Sequence, residues 1–310
     1  MMKIRDAVVV VMTLAASQAF AQAQMDAEKA ERCATRLSVA ITGKAPSATF
    51  IAKASPQADV EVMLQTADFQ ERFSRFVNQA FNEDPGVTAA EDASYYMTKY
   101  VLQNNLKWSD MFLGQYKVDV DPASTANVIV TSDANGLGYF RSMPWLKRYA
   151  GNEQAGIKLR SAYRIMQNTI GLKLIPSTNA PGADLTATGR QSAGCRACHF
   201  DGWFAIDKVA SVLSRRTGTP TNITFGPPPA SPQQILGGLV INDDKELVTA
   251  LVNSEAFEFR ACRVAFEFLY GRPEVTCEGP IFDSCMASFK ASGTITSAIA
   301  SVAKDQSFCQ

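Results

Sequence analysis

Cys195-Arg196-Ala197-Cys198-His199 sets two thiols three positions apart and follows them with the one histidine of the whole chain. Two cysteines at that spacing share a helical turn and can add to the two vinyl groups of a porphyrin, while the adjacent imidazole meets the iron from below. C-x-x-C-H is the attachment signature of c-type haem. The sequence therefore assigns Cys195 and Cys198 to covalent attachment of one haem c, and His199 to the proximal iron position. Two other chemistries compete for such a motif. Zinc needs further ligands, such as a second C-x-x-C or a histidine pair, and the remaining cysteines at 33, 262, 277, 285 and 309 offer no such spacing. A thioredoxin-type dithiol wants a strand before the motif in a βαβ unit, whereas Pro181-Gly182 to Gly194 reads as loop.

The sixth iron position is less constrained. A methionine thioether would make a low-spin electron carrier of higher potential, and an open position would admit small ligands or peroxide. A second histidine is impossible within this chain. Met143, in Arg141-Ser142-Met143-Pro144-Trp145, is the preferred distal candidate, because a proline follows it and the short aromatic segment around it could line a haem edge. Its competing role is to fill a gap in the core. Met97 and Met166 occupy apolar positions of expected helices, and Met286 is the only methionine downstream of the motif.

Met1 to Ala21 carries Lys3 and Arg5, then the apolar run Ala7 to Ala16, then Ala19-Phe20-Ala21 as a small-x-small cleavage site. That order reads as a secretory signal peptide. The run is about half the roughly 20 residues a membrane-spanning helix needs, so no stable transmembrane anchor is expected after cleavage. The chain is expected to be periplasmic or otherwise exported, where thiols oxidise readily. Lys and Arg total 30 and Asp and Glu total 30, so no positive field exists to hold nucleic acid by its phosphates.

Helical periodicity dominates the rest. Cys33, Leu37 and Ala40-Ile41 recur at helical spacing from Asp26 to Ile41. Asp68-Phe69-Gln70-Glu71 resembles a capping box ahead of Phe69, Phe73, Phe76-Val77 and Phe81, whose rings fall on one helix face. Thr88-Ala89-Ala90-Glu91 is a second box, opening a helix to about Asn105. Residues 118–137 read as loop apart from a brief Val128-Ile129-Val130 strand, and Ala155 to Ile170 is helical. From Thr217 to Pro232 the prolines and glycines forbid a helix and imply an extended linker. Beyond it, Asp243-Asp244-Lys245-Glu246 caps one helix, and a second, with Phe259, Cys262, Phe266 and Leu269, stops at Gly271 with Pro273 just past it. Thr294 to Ala303 makes a last amphipathic helix.

The expected fold is mainly α and multi-helical, with a cytochrome c-like haem segment followed by a small helical C-terminal domain. The divisions are a signal peptide at 1–21, an N-terminal helical region at 22–137, a haem-binding region at 138–216, the linker at 217–232 and the C-terminal domain at 233–310. With two cysteines committed to haem, five remain, enough for two disulfides and one free thiol. Cys277 with Cys285, across the Gly279-Pro280 turn, is the first expectation; Cys262 with Cys309 is the second, leaving Cys33 free.

Arg36-Leu37-Ser38-Val39-Ala40-Ile41-Thr42-Gly43-Lys44-Ala45-Pro46-Ser47 resembles the "RRLYLDLTGLPPT" opening of the planctomycete-type cytochrome c proteins. Val62 to Phe76 is similar to the helical segment that follows there, and Gly194 to Ile206 resembles their haem segment. Phe259 to Pro273, with Leu269-Tyr270-Gly271-Arg272, resembles their C-terminal "alGR" helix. The resemblance implies an exported c-type cytochrome. One departure stands out: many of those haem segments continue C-H-x-x-M-D-P-x-G, whereas this chain reads Cys198-His199-Phe200-Asp201-Gly202-Trp203, without that methionine.

Three function classes follow. The first is a mono-haem electron-transfer protein working with an exported redox partner protein. The second is a haem enzyme or gas sensor with an open sixth position, peroxidase-like in chemistry. The third is an assembly module of an exported complex, marked by an exposed apolar patch away from the haem. Arg190, Arg196, Lys208, Arg215 and Arg216 lie near the motif in sequence as candidates for the haem propionates.

Overall fold

The computed structural model describes residues 25–86, 92–149, 159–174, 182, 184–219, 222–227 and 231–310. The export signal read at 1–21 and the capping box at Thr88–Glu91 lie outside the described residues. The fold is mainly helical, and the strands among the described residues pair only as three separate two-stranded hairpins.

The N-terminal part is built on α1 (25–42), α2 (Ala67–Phe81) and α3 (Ala93–Gln103). The cap of α2 is Thr66, two residues earlier than the sequence box implies, with its hydroxyl accepting from Phe69 N at 3.3 Å. The phenylalanine stripe does what its spacing predicts: Phe69, Phe73, Val77 and Phe81 are buried and Phe76 packs partly buried against them. Residues 116–132 correct the loop expectation. β1 (Tyr116–Asp121) and β2 (Ser124–Ser132) form an antiparallel hairpin, with Val118 opposite Val130 and Val120 opposite Val128.

Next come α4 (Met143–Tyr149) and α5 (Leu159–Ile170). The motif lies in a run of short turns that ends in α6 (Ile206–Ser211). The described residues of the 217–232 stretch are largely paired rather than a free linker: β3 (Arg215–Thr219) runs antiparallel to β4 (Asn222–Gly226). A smaller hairpin follows, β5 (Gln233–Ile235) with β6 (Leu239–Ile241).

The C-terminal helices are α7 (Asp244–Val252), α8 (Glu255–Tyr270), α9 (Gly279–Ser292) and α10 (Ile295–Lys304). Asp243 caps α7 by accepting from Glu246 N at 2.8 Å, and Gly271 ends α8 at φ +67°. That left-handed geometry favours glycine, which has no Cβ to clash.

The core continues across the 217–232 stretch. Phe268 of α8 meets Phe73 edge-on at 5.0 Å and also touches Phe69 and Phe76, so one ring of the C-terminal region is set among three of α2. Gln57 donates to the carbonyls of Ala303 and Asp305 at 2.8 and 3.0 Å, and Lys304 pairs with Glu61.

Two disulfides add covalent ties, and both correct the sequence expectation. Cys33 bonds Cys309, joining α1 to the C-terminal turn, and Cys262 of α8 bonds Cys285 of α9. Cys277 is free and exposed. The reason is packing: Cys262 and Cys285 are both fully buried on neighbouring helices, whereas Cys277 sits in an exposed turn ahead of α9. Closeness in sequence to Cys285 did not bring their thiols together.

Candidate functional site

The site begins with a single turn of 3-10 helix, Gly189–Gln191, followed by a helical turn, Ala193–Arg196, which loosens into a π turn, Ala197–Asp201. This places Cys195 and Cys198 on one side of a short helical segment, both with free thiols; Cys198 is exposed and Cys195 half-buried. The segment then turns sharply at Gly202, where an added Cβ would lie 2.3 Å from the Ala197 carbonyl oxygen. Only glycine lets the two backbones come so close. Ala205, buried and at φ +30°, completes the reversal and accepts from the amides of Lys208 and Val209, which starts α6.

α6 carries the chemistry inward. Ile206, Val209 and Ala210 bury its apolar face, and it packs against α5 and β5. The same turn of helix holds Asp207, an aspartate with only 5% of its side chain exposed, whose Oδ2 lies 2.6 Å from His199 Nδ1. A buried carboxylate needs partners, and Arg190 supplies them. Its Nε donates to both Asp207 oxygens at 3.1 Å and its Nη2 to Oδ1 at 2.8 Å. The remaining Nη1 donates to Leu185 O at 2.6 Å. Arg190, a sequence candidate for the propionates, is thus buried and committed to Asp207. Arg196 pairs with Asp201 at 2.6 Å on the surface.

The geometry determines what His199 can do. A carboxylate accepts hydrogen bonds, so Nδ1 is the donor, and in the neutral imidazole the lone pair is then on Nε2. The imidazole is 19% exposed, so Nε2 is oriented by a fixed partner yet reachable. Two accessible thiols one turn apart and an imidazole with a free Nε2 are the donor set that haem c requires, and the residues fit the group. Among the described residues no group of three or more His, Cys, Asp or Glu comes together as a closed metal site; a structural zinc site requires four ligands.

No protein-family model, curated protein or solved structure matches the chain. What the site can do therefore rests on its own residues.

The apolar surroundings of the motif are open. Trp203 is 49% exposed, and its carbonyl accepts from Leu236 N at 3.0 Å, which ties the motif to the β5–β6 hairpin. On that hairpin Leu239 is 51% and Val240 63% exposed. The methionines separate clearly. Met97, Met111 and Met166 are fully buried in the core, and Met111 Sδ already accepts from Thr98 Oγ1 at 3.4 Å. Met63 and Met286 pack partly buried against the core, and Met25 is exposed on α1. Met143 is half-buried at the start of α4. Asp207 is the site residue that the sequence reading missed. Its one signal was a charged side chain on the inward face of Ile206-Asp207-Lys208-Val209-Ala210.

Proposed function

We propose that this chain is an exported mono-haem c-type cytochrome that passes single electrons to or from an exported redox partner protein. The observation that carries the reading is the His199 imidazole, held at Nδ1 by Asp207 with Nε2 free, beside the free thiols of Cys195 and Cys198. Bound haem c would supply a one-electron iron couple. Cys195 and Cys198 would anchor it through thioether bonds, and His199 would hold the iron through Nε2. Trp203, Leu239 and Val240 offer apolar surface beside the motif, which suits a porphyrin edge or a transient partner. Redox encounter interfaces are small and weak, so a modest patch suffices. The two disulfides support export, because such bonds persist in oxidising compartments. No helix among the described residues is long and apolar enough to cross a membrane.

A second reading, an open sixth position serving peroxide or gas chemistry, draws support from the methionines. Met97, Met111 and Met166 are committed to the core, and the haem segment lacks the nearby methionine of its look-alikes. Met143 remains the proposed distal ligand. The two readings separate in the visible spectrum of the dithionite-reduced protein, expressed with haem-attachment machinery, before and after carbon monoxide. A sharp low-spin α band indifferent to carbon monoxide supports the electron carrier. A carbon monoxide shift supports the open site. Met143→Leu should convert low-spin to high-spin if the thioether ligates; an unchanged spectrum removes Met143 from the iron.

A further inference from the structure

The Arg190–Asp207 pair is built more elaborately than attachment of a haem demands. Holding an imidazole in one tautomer needs a single acceptor, and a backbone carbonyl serves. Here the acceptor is a full carboxylate, nearly buried, with Oδ1 bonded by Arg190 Nε and Nη2 and Oδ2 shared between Arg190 Nε and His199 Nδ1. Arg190 is in turn pinned by Leu185 O. The pair therefore cannot swing away, and the negative charge stays 2.6 Å from the imidazole.

We infer that Asp207, clamped by Arg190, is a positioning residue that sets the electron donation of His199 and so holds the iron couple towards its oxidised state. This rests on the haem reading above. A carboxylate on Nδ1–H draws the proton and raises the basicity of Nε2. A more basic axial ligand stabilises ferric over ferrous iron, and hydrogen bonding to the ligand is one of the means by which a protein tunes haem potential.

The test is the midpoint potential of the haem-loaded protein by spectroelectrochemical titration. Asp207→Asn keeps the shape and an acceptor oxygen but removes the charge. The expected result is a rise in potential, with the reduced-to-oxidised ratio at fixed ambient potential increasing about tenfold, which is about 59 mV for one electron. Removing one member of a buried ion pair strands the other, so the double variant Arg190→Gln/Asp207→Asn is measured alongside, with the same rise expected. A loaded variant with the wild-type potential overturns the inference. So does collapse of both variants to unfolded chain while the wild type loads normally, since the pair would then serve the fold alone. Failure of the wild type itself to take up covalent haem overturns the haem reading instead, and the two failures are told apart by which protein lacks the band.

Discussion

The aromatic helical core and the segment from Leu185 to Ile241 are held together in opposite ways. In the core, α2 and α8 interleave phenylalanines, Trp108 and Phe112 extend the ring cluster, and two disulfides tie α1 to the C-terminal turn and α8 to α9. Around the motif the turns are short, the thiols are free, large apolar side chains face outward, and the principal tie is a buried ion pair. Stability is concentrated in the first region and chemical access in the second. On the haem proposal, accessible thiols that take up a bulky group cannot also be closed by ring packing, and the shape of this segment is set by hydrogen bonds and backbone turns.

That contrast breaks if core variants alter the site or site variants unfold the core. The largest effect is expected from Phe73→Ala, which empties a fully buried position touching Phe69, Phe76, Trp108 and Phe268. The loss should be about 3–5 kcal/mol in denaturant unfolding, with an unaltered haem spectrum in the protein that remains folded. Removing the α8–α9 tie through Cys262→Ala with Cys285→Ala should cost about 2–4 kcal/mol, again without a spectral change. Gly202→Ala forces a Cβ against the Ala197 carbonyl and should cost about 1–3 kcal/mol. Its signature differs from the core variants: haem loading should fall more than thermal stability does, and equal loading with wild type would show that the turn is not needed to present the thiols.

The smallest effect sharpens the comparison from the core side. Burial pushes the Glu71 carboxyl up, but hydrogen bonds from Tyr95 Oη at 2.6 Å and Lys99 Nζ at 2.9 Å, with the charges of Lys99 and Arg75, outweigh it and hold the group at about 2. The folded value lies below the ordinary one, so the stabilisation is present above about pH 4.5 and fades as pH falls towards 2. The group is partly exposed, and solvent screening reduces the effect to about 1 kcal/mol or less. Glu71→Gln should flatten the stability profile across that acid window while leaving the haem spectrum alone.

The two regions also differ in how far they could be read from residues. The helices were legible because their signals are local: ring spacing on α2, the Asp243 cap of α7, and Gly271 with Pro273 at the end of α8. The β1–β2 hairpin is less legible: Val118 and Val120 alternate with charged residues, and only Val128–Val130 makes an apolar run. The disulfides differ from the expected pairs because pairing follows which buried faces meet, and Cys33 and Cys309 are 276 residues apart. At the proposed site, the thiols and imidazole are contiguous in the sequence, and the structure leaves both thiols free. Asp207 is not legible from spacing, and Arg190 is legible only as a basic residue near the motif, since they stand eight residues after and nine before His199 and meet only in the fold.

Covalent attachment is the most direct test. The chain is expressed for export with haem-attachment machinery, denatured, and stripped of non-covalent haem, and the absorbance and mass remaining with the polypeptide are measured against Cys195→Ala/Cys198→Ala. The expected result is one haem retained by the wild-type chain and none by the double variant. A wild-type chain that is folded, with Cys33–Cys309 and Cys262–Cys285 formed, and yet carries no covalent haem would contradict it.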